Sequence, residues 1–324
     1  MPRLVYTPQY NIGLAGFERL HPFDSRKYGR AWKLLQKQFP KQWRDWWLRP
    51  ERPISKELLA AHSAEYLLAL NRPEVVAKAL ELPFVRHLPA WLIDWAILRP
   101  MRWGTAGTVL AAETAAEHGL VINLSGGYHH AKPDQGEGFS IYADVAIAIH
   151  ALRQRGRLPE RHRIAYIDLD AHQGNGVCRV FRDDPRVFIF DMFNADIYPS
   201  YDFRARERID CAIPLHSGTG DPQYLGQLFE RLPPFLESIN QSQSIDLAFY
   251  NAGTDIFAGD PLGGMNVSAA AILERDAFVI AELRQRNIPT AMVLSGGYTK
   301  ESYRLIADSI VAVLNQEFDR QRRQ

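Results

Sequence analysis

RIAYIDLDAHQGNG, residues 163–176, reads as a strand that runs straight into chemistry. Its first half is short and apolar, as a strand buried on both faces of a parallel sheet should be. Its second half sets Asp170 and His172 two residues apart at the strand end. In extended backbone, residues i and i+2 project to the same side, so this carboxylate and imidazole can grip one cation together. Taken alone, the Asp-x-His spacing is equally that of a capping aspartate beside a surface histidine. Asp168, two residues earlier, is open to three roles: orienting an imidazole, completing a buried hydrogen-bond network, or binding a second cation.

Working outward, five further runs have the same character: LVINLS (120–125), RVFIFD (186–191), DCAIPL (210–215), DLAFYNAG (246–253) and PTAMVLSGG (289–297). Helical periodicity falls near 104–118, 139–155, 222–239, 266–286 and 300–316. Strands alternating with helices predict βα units feeding one parallel sheet. Four strands end in unusual polar clusters: SGGYHHA (125–131), DLDAHQGNG (168–176), NAGTDIFAGDP (251–261) and SGGY (295–298). Ligands of open α/β sheets bind beyond the carboxyl ends of the strands, so these clusters can converge on one site. Asp255 is then the natural third ligand beside Asp170 and His172, giving an open two-carboxylate, one-imidazole site for Zn²⁺, with Fe²⁺ an alternative. The tandem His129 and His130 suit a neutral base with a charge-tuning neighbour. Tyr298 can donate to a developing oxyanion, although a Gly-Gly-Tyr on its own also describes a packing tyrosine.

The first 100 residues are less periodic. Trp43, Trp46 and Trp47 have the spacing of a buried stripe on an amphipathic helix. Across 324 residues the composition, 46% hydrophobic and 23% charged, is that of a globular protein, and a net charge of +1 offers no field for nucleic acid or anionic membrane. The basic end with Arg320, Arg322 and Arg323 reads as solvated. Cys178 and Cys211 form neither a disulfide framework nor a cysteine metal site. No apolar run approaches membrane-spanning length, and MPRLVYTPQYNIG lacks a signal pattern, so a cytoplasmic protein is expected. Without a linker or repeat, residues 1–324 are expected to form one domain.

Together with LVYTPQYNIG (4–13), LHPFDSRKYGR (20–30), LRPMRWGTAGTVLAA (98–112), INLSGGYHHAKPDQGEGFSIYADVAIAI (122–149), YNAGTDIFAGDPLGG (250–264) and LSGGYTKESYRLIADSI (294–310), these clusters make the chain resemble the arginase/deacetylase superfamily. Within it, the class IV, histone deacetylase 11-like group is the most similar. The resemblance implies a single-domain α/β arginase/deacetylase fold with about eight mainly parallel strands between helical layers. It also implies one Zn²⁺ on Asp170, His172 and Asp255, with catalysis by His129, His130, Tyr298, Asp168 and Asn175. A channel walled by Gly138, Phe139 and Tyr198 is implied too, as is a structural K⁺ or Na⁺ at Asp168, Asp170, His172 and Asp191. The implied reaction is hydrolysis of acyl-lysine amides in proteins or peptides, with acylated small amines such as acetylated polyamines as the alternative substrates. No nucleic-acid or membrane partner is expected.

Asn175 departs from the better-known classes, and the histidine it orients, His130, should be less basic than one paired with a carboxylate. The small-residue loop HSGTGDPQYL (216–225) is expected to leave space for a long acyl chain. Gly174 and Phe257 stand where a dinuclear manganese hydrolase of the arginase type would need further carboxylates. A non-catalytic acyl-lysine reader would not need the complete ligand set with Tyr298.

Overall fold

The computed structural model describes every residue except 14–23, 25, 56, 58–60, 160, 242–243 and 324, together with the side chains of Gln321 and Arg323. Much of the LHPFDSRKYGR motif, its residues 20–23 and 25, therefore lies outside the described residues, as does the side chain of Arg323.

The six apolar runs are strands: β3 (Leu120–Asn123), β4 (Ile164–Asp168), β5 (Val187–Asn194), β6 (Cys211–Leu215), β7 (Leu247–Asn251) and β8 (Thr290–Val293). Two short strands precede them, β1 (Arg3–Val5) and β2 (Trp47–Leu48). All eight are parallel, in the order β2-β1-β3-β8-β7-β4-β5-β6. Alternate residues feed two cores. Ile122, Ala165, Ile167, Tyr250 and Met292 pack toward helices Lys27–Gln38, Asp221–Asn240, Ala269–Gln285 and Ser302–Arg323. Val121, Ile164, Tyr166, Phe249 and Val293 pack toward Arg99–His118 and Asp144–Gln154. Burial on both faces explains why these strands read as continuous apolar runs. The chain is thus a single α/β domain, a parallel sheet between two helical layers. Among the described residues, no helix is long and apolar enough to cross a membrane.

Two local expectations need correction. Trp43 and Trp46 do occupy one helical turn, with Trp46 buried, but Trp47 starts strand β2 and is 36% exposed, its indole nitrogen donating to the Tyr6 carbonyl. The helix expected from 139 begins at Asp144, because Gly138 and Phe139 adopt φ of 52° and 64°, outside the helical region.

The sheet order makes β3, β8, β7 and β4 consecutive neighbours, so the four polar clusters leave adjacent carboxyl ends. One buried cation ties two of those ends together. The Arg275 guanidinium, fully enclosed, donates to the carbonyls of Leu169 at 3.1 Å and Gly253 at 2.7 Å and pairs with Asp276 at 2.7 Å. Asp276 also accepts hydrogen bonds from Tyr250 and Ser309. Removing one partner of such a network leaves the other charge buried and uncompensated. Arg275→Met is expected to lower stability by about 3–5 kcal/mol, seen as an earlier denaturation midpoint; a midpoint within error of the parent would show that the clamp contributes little.

Candidate active site

The loops after β4 and β7 bring Asp170, His172 and Asp255 together, all buried, with one potential ligand atom from each within 4.8 Å of the others. His172 Nδ1 lies 3.1 Å from Asp170 Oδ1 and 3.0 Å from Asp255 Oδ2. The remaining carboxylate oxygens are held by backbone donors: Gly296 N to Asp170 Oδ2 at 2.8 Å and Ala171 N to Asp255 Oδ1 at 2.9 Å. Gly296 has no alternative here, since a Cβ on it would stand 2.1 Å from Asp255 Oδ2 and 2.5 Å from Asp170 Oδ2. Burial and the neighbouring Asp170 push the Asp255 carboxyl up to about 7. His172, which burial alone would lower, is raised to about 10 by Asp170 and Asp255. Two buried carboxylates sharing one imidazole are a donor set that fits a divalent cation, and no second acidic cluster beside them supports a dinuclear centre among the described residues.

The tandem histidines lie against this trio and are held in different ways. His129 Nδ1 donates to Asp168 Oδ2 at 2.8 Å, and that carboxylate also accepts from Tyr166 Oη and Asn251 Nδ2, each at 2.8 Å. Burial opposes charge on His129, but Asp168 and Asp170 overcome it and raise the ring to about 9. His130 Nδ1 is 2.8 Å from Asn175 Oδ1. With an amide as partner, burial and the positive neighbours His129 and His172 hold His130 well below the ordinary imidazole range. The hydrogen bond to Asn175 raises the ring against these effects without overcoming them.

Tyr298 faces the trio from the end of β8, its ring 6.0 Å from that of His172 and 5.8 Å from that of Phe139. Its amide donates to Asp260 Oδ2 at 2.7 Å. Burial, then Asp170, Asp255 and Asp260, push its phenol well above the usual range, so it stays protonated. Gly138 is pressed between His130 and Tyr198, whose ring lies 5.0 Å from the His130 ring. Asp191 sits opposite Asp168 in the β4–β5 register; its Oδ2 accepts from Gly174 N at 2.9 Å, while its buried Oδ1 has no hydrogen-bond partner.

His129, His130, Asp170 and Tyr298 line a pocket of about 920 Å³, its open mouth included, together with Gly138 and Phe139. The rest of the lining is mostly apolar, with Ile12, Leu80, Ile97 and Met101 beside Tyr10 and Tyr28. None of residues 216–225 takes part. His216, Ser217 and Gly218 are exposed instead, and the apolar lining comes from Leu80, Leu82, Ile97 and Met101.

Three site residues escaped the sequence reading. Asn251 and Asp260 lie inside the NAGTDIFAGDP cluster without a recognisable spacing. Lys27, fully buried, donates to the carbonyls of Ser295 at 2.8 Å, Gly296 at 2.9 Å and Gly297 at 3.3 Å, beneath the turn that carries Tyr298. It lies in LHPFDSRKYGR, which carried the resemblance without giving this lysine a role.

A family model described as the histone deacetylase domain matches residues 21–314. A protein named histone deacetylase 2 from Arabidopsis thaliana is 42% identical over 313 residues, covering 95% of this chain and 77% of the plant protein. An uncharacterised Picosynechococcus protein is 33% identical over 261 residues, 80% of each chain. A probable deacetylase from Archaeoglobus fulgidus is 28% identical over 266 residues, covering 78% of this chain and 69% of the archaeal one.

Cation loading must displace the proton that keeps His172 charged up to about 10 and the one that Asp255 retains up to about 7. Affinity for a divalent cation such as zinc is therefore expected to strengthen as pH rises through about 7 and on toward about 10, with protons released on binding. Competition with a chromogenic chelator measures it, and a pH-independent affinity contradicts this electrostatic account.

Proposed function

The chain belongs to the histone deacetylase family, and we propose that it is a zinc-dependent hydrolase of Nε-acyl-lysine amides in proteins or peptides, of the class IV type, with residues 1–324 forming one catalytic domain. The observation that carries the reading is the cluster of Asp170, His172 and Asp255, of which Asp170 lines the same pocket as His129, His130 and Tyr298. The class IV assignment is supported by Asn175 in the metal motif. A cytoplasmic setting is supported by the two free thiols, Cys178 and Cys211.

In this reading Asp170, His172 and Asp255 hold one zinc ion. When bound, zinc supplies Lewis acidity toward the acyl carbonyl and the attacking water. His130, neutral and with Nδ1 turned to Asn175, takes a proton from water through Nε2. His129, kept charged by Asp168, stabilises the negative charge that develops, and Tyr298 donates its hydroxyl hydrogen bond to the tetrahedral oxyanion. The proton then passes from the imidazole to the departing lysine amine. Gly138, Phe139 and Tyr198 enclose the aliphatic stem.

The apolar lining by Leu80, Ile97 and Met101 supports acceptance of long acyl chains. A structural K⁺ or Na⁺ at Asp168, Asp170, His172 and Asp191 is supported by the orphaned Asp191 Oδ1, because burial and Asp168 push that carboxyl up unless positive charge is near. One observation favours the second reading, a deacylase of acetylated polyamines or related small amines. Glu81 is exposed between Leu80 and Leu82, both of which line the pocket, and can receive a distal ammonium.

Amine release from lysine peptides carrying acyl chains of two to sixteen carbons, beside acetylated polyamines, tests the proposal. Peptide cleavage by the zinc-loaded protein is expected, with myristoyl at least matching acetyl. Tyr298→Phe should fall by about a hundredfold or more in kcat. Cleavage of polyamines alone would transfer the assignment to the second reading, and no turnover of any substrate would overturn both.

A further inference from the structure

The hydrogen bonds around His130 do not end at Asn175. Asn175 Nδ2 donates to Glu137 Oε1 at 2.7 Å and lies 3.4 Å from Asp202 Oδ2. The two ends of a primary amide are nearly the same shape and opposite in hydrogen-bonding sense, so an asparagine beside an imidazole can present either oxygen or NH₂ to it. Here two carboxylates, which only accept, claim the NH₂ end. The oxygen must then face His130 Nδ1, which carries the hydrogen and leaves the lone pair on Nε2. The opposite amide orientation would put the hydrogen on Nε2 and convert a base into a donor.

We propose that Glu137 is a positioning residue for the hydrolytic reaction, fixing the tautomer of His130 through Asn175. The inference rests on the reading of His130 as the imidazole that takes the proton from water. The relay takes the place of a carboxylate hydrogen-bonded directly to the ring: the negative charge stands one residue further out, and a neutral amide carries its direction inward. Glu137 is itself fixed. Its backbone exchanges hydrogen bonds with Ser140 at 3.1 and 2.9 Å, closing the turn that holds Gly138 and Phe139. Its Oε2 accepts from Gln135 Nε2 at 2.8 Å. Lys132 Nζ balances the charge, 2.7 Å from Glu137 Oε1 and 3.7 Å from Asp202 Oδ2, and Arg179 pairs with Asp202. The same turn therefore shapes the pocket wall and sets the protonation of the base behind it.

The test combines kinetics and ¹⁵N spectroscopy on the full-length, zinc-loaded protein. Glu137→Ala is expected to lower kcat by about tenfold with KM unchanged, whereas Glu137→Gln, whose amide oxygen still accepts from Asn175, keeps most of the activity. On an Asn175→Asp background the Glu137→Ala loss should vanish, since a carboxylate has no donor end to misdirect. The ¹⁵N resonances of His130 should show Nε2 unprotonated in the parent and a tautomer mixture in Glu137→Ala. An equal loss on both backgrounds would mean that Glu137 only supports the fold, and an unchanged tautomer would overturn the proposal outright. If the parent hydrolyses no acyl-lysine substrate, the functional reading fails, and the imidazole spectrum still decides whether Glu137 sets the tautomer.

Discussion

Two carboxylates buried side by side, Asp170 and Asp255, are the constraint around which this structure is arranged. Neither is more than 1% exposed; burial and Asp170 raise the cost of ionising Asp255, while His129 and His172 overcome burial to hold the Asp170 carboxyl well below the usual carboxylate range. Keeping both in the core requires positive charge and directed donors, and the fold supplies them from several elements. His172 lies between the carboxylates, and the backbone amides of Ala171 and Gly296 bind their outer oxygens. Behind the strand ends, Arg275 and Lys27 donate to the carbonyls of the same turns. The parallel sheet makes this possible because all its strands deliver their carboxyl ends to one edge.

Around that centre the two histidines diverge in character although adjacent in sequence. Asp168 makes His129 a charged ring, and Asn175 leaves His130 a neutral one. One carboxylate placed against one imidazole, and an amide against the other, separates two chemically identical side chains into a charge stabiliser and a base in the proposed mechanism. Asp168 is fixed for this role by hydrogen bonds from Tyr166, Asn251 and the backbone amide of Asp170.

The central strands were legible because burial on both faces leaves an unmistakable apolar run, and because each run ended in polar residues that a core would otherwise exclude. Strands β1 and β2 were not, being three and two residues long at one side of the sheet, too short for a periodic signal. Trp47 was read with its helical neighbours for the same reason. Asp168, Asp170 and His172 follow from spacing along extended backbone, which sequence records, Asp255 from the convergence of strand ends, and Asn175 from the family resemblance alone. Lys27, Arg275 and Glu137 act through contacts between distant segments, for which a single sequence has no pattern. Small residues in 216–225 suggested room at that loop, whereas the pocket beside the histidines draws its apolar lining from Leu80, Ile97 and Met101 and takes none of 216–225.

Everything proposed for this site depends on one cation occupying the Asp170–His172–Asp255 trio. Anomalous diffraction at the zinc edge, from crystals grown with zinc, tests this most directly. A single peak at roughly 2.0–2.2 Å from His172 Nδ1 and from one oxygen of each carboxylate is expected. Two peaks in the pocket, or zinc bound only elsewhere on the molecule, would contradict it.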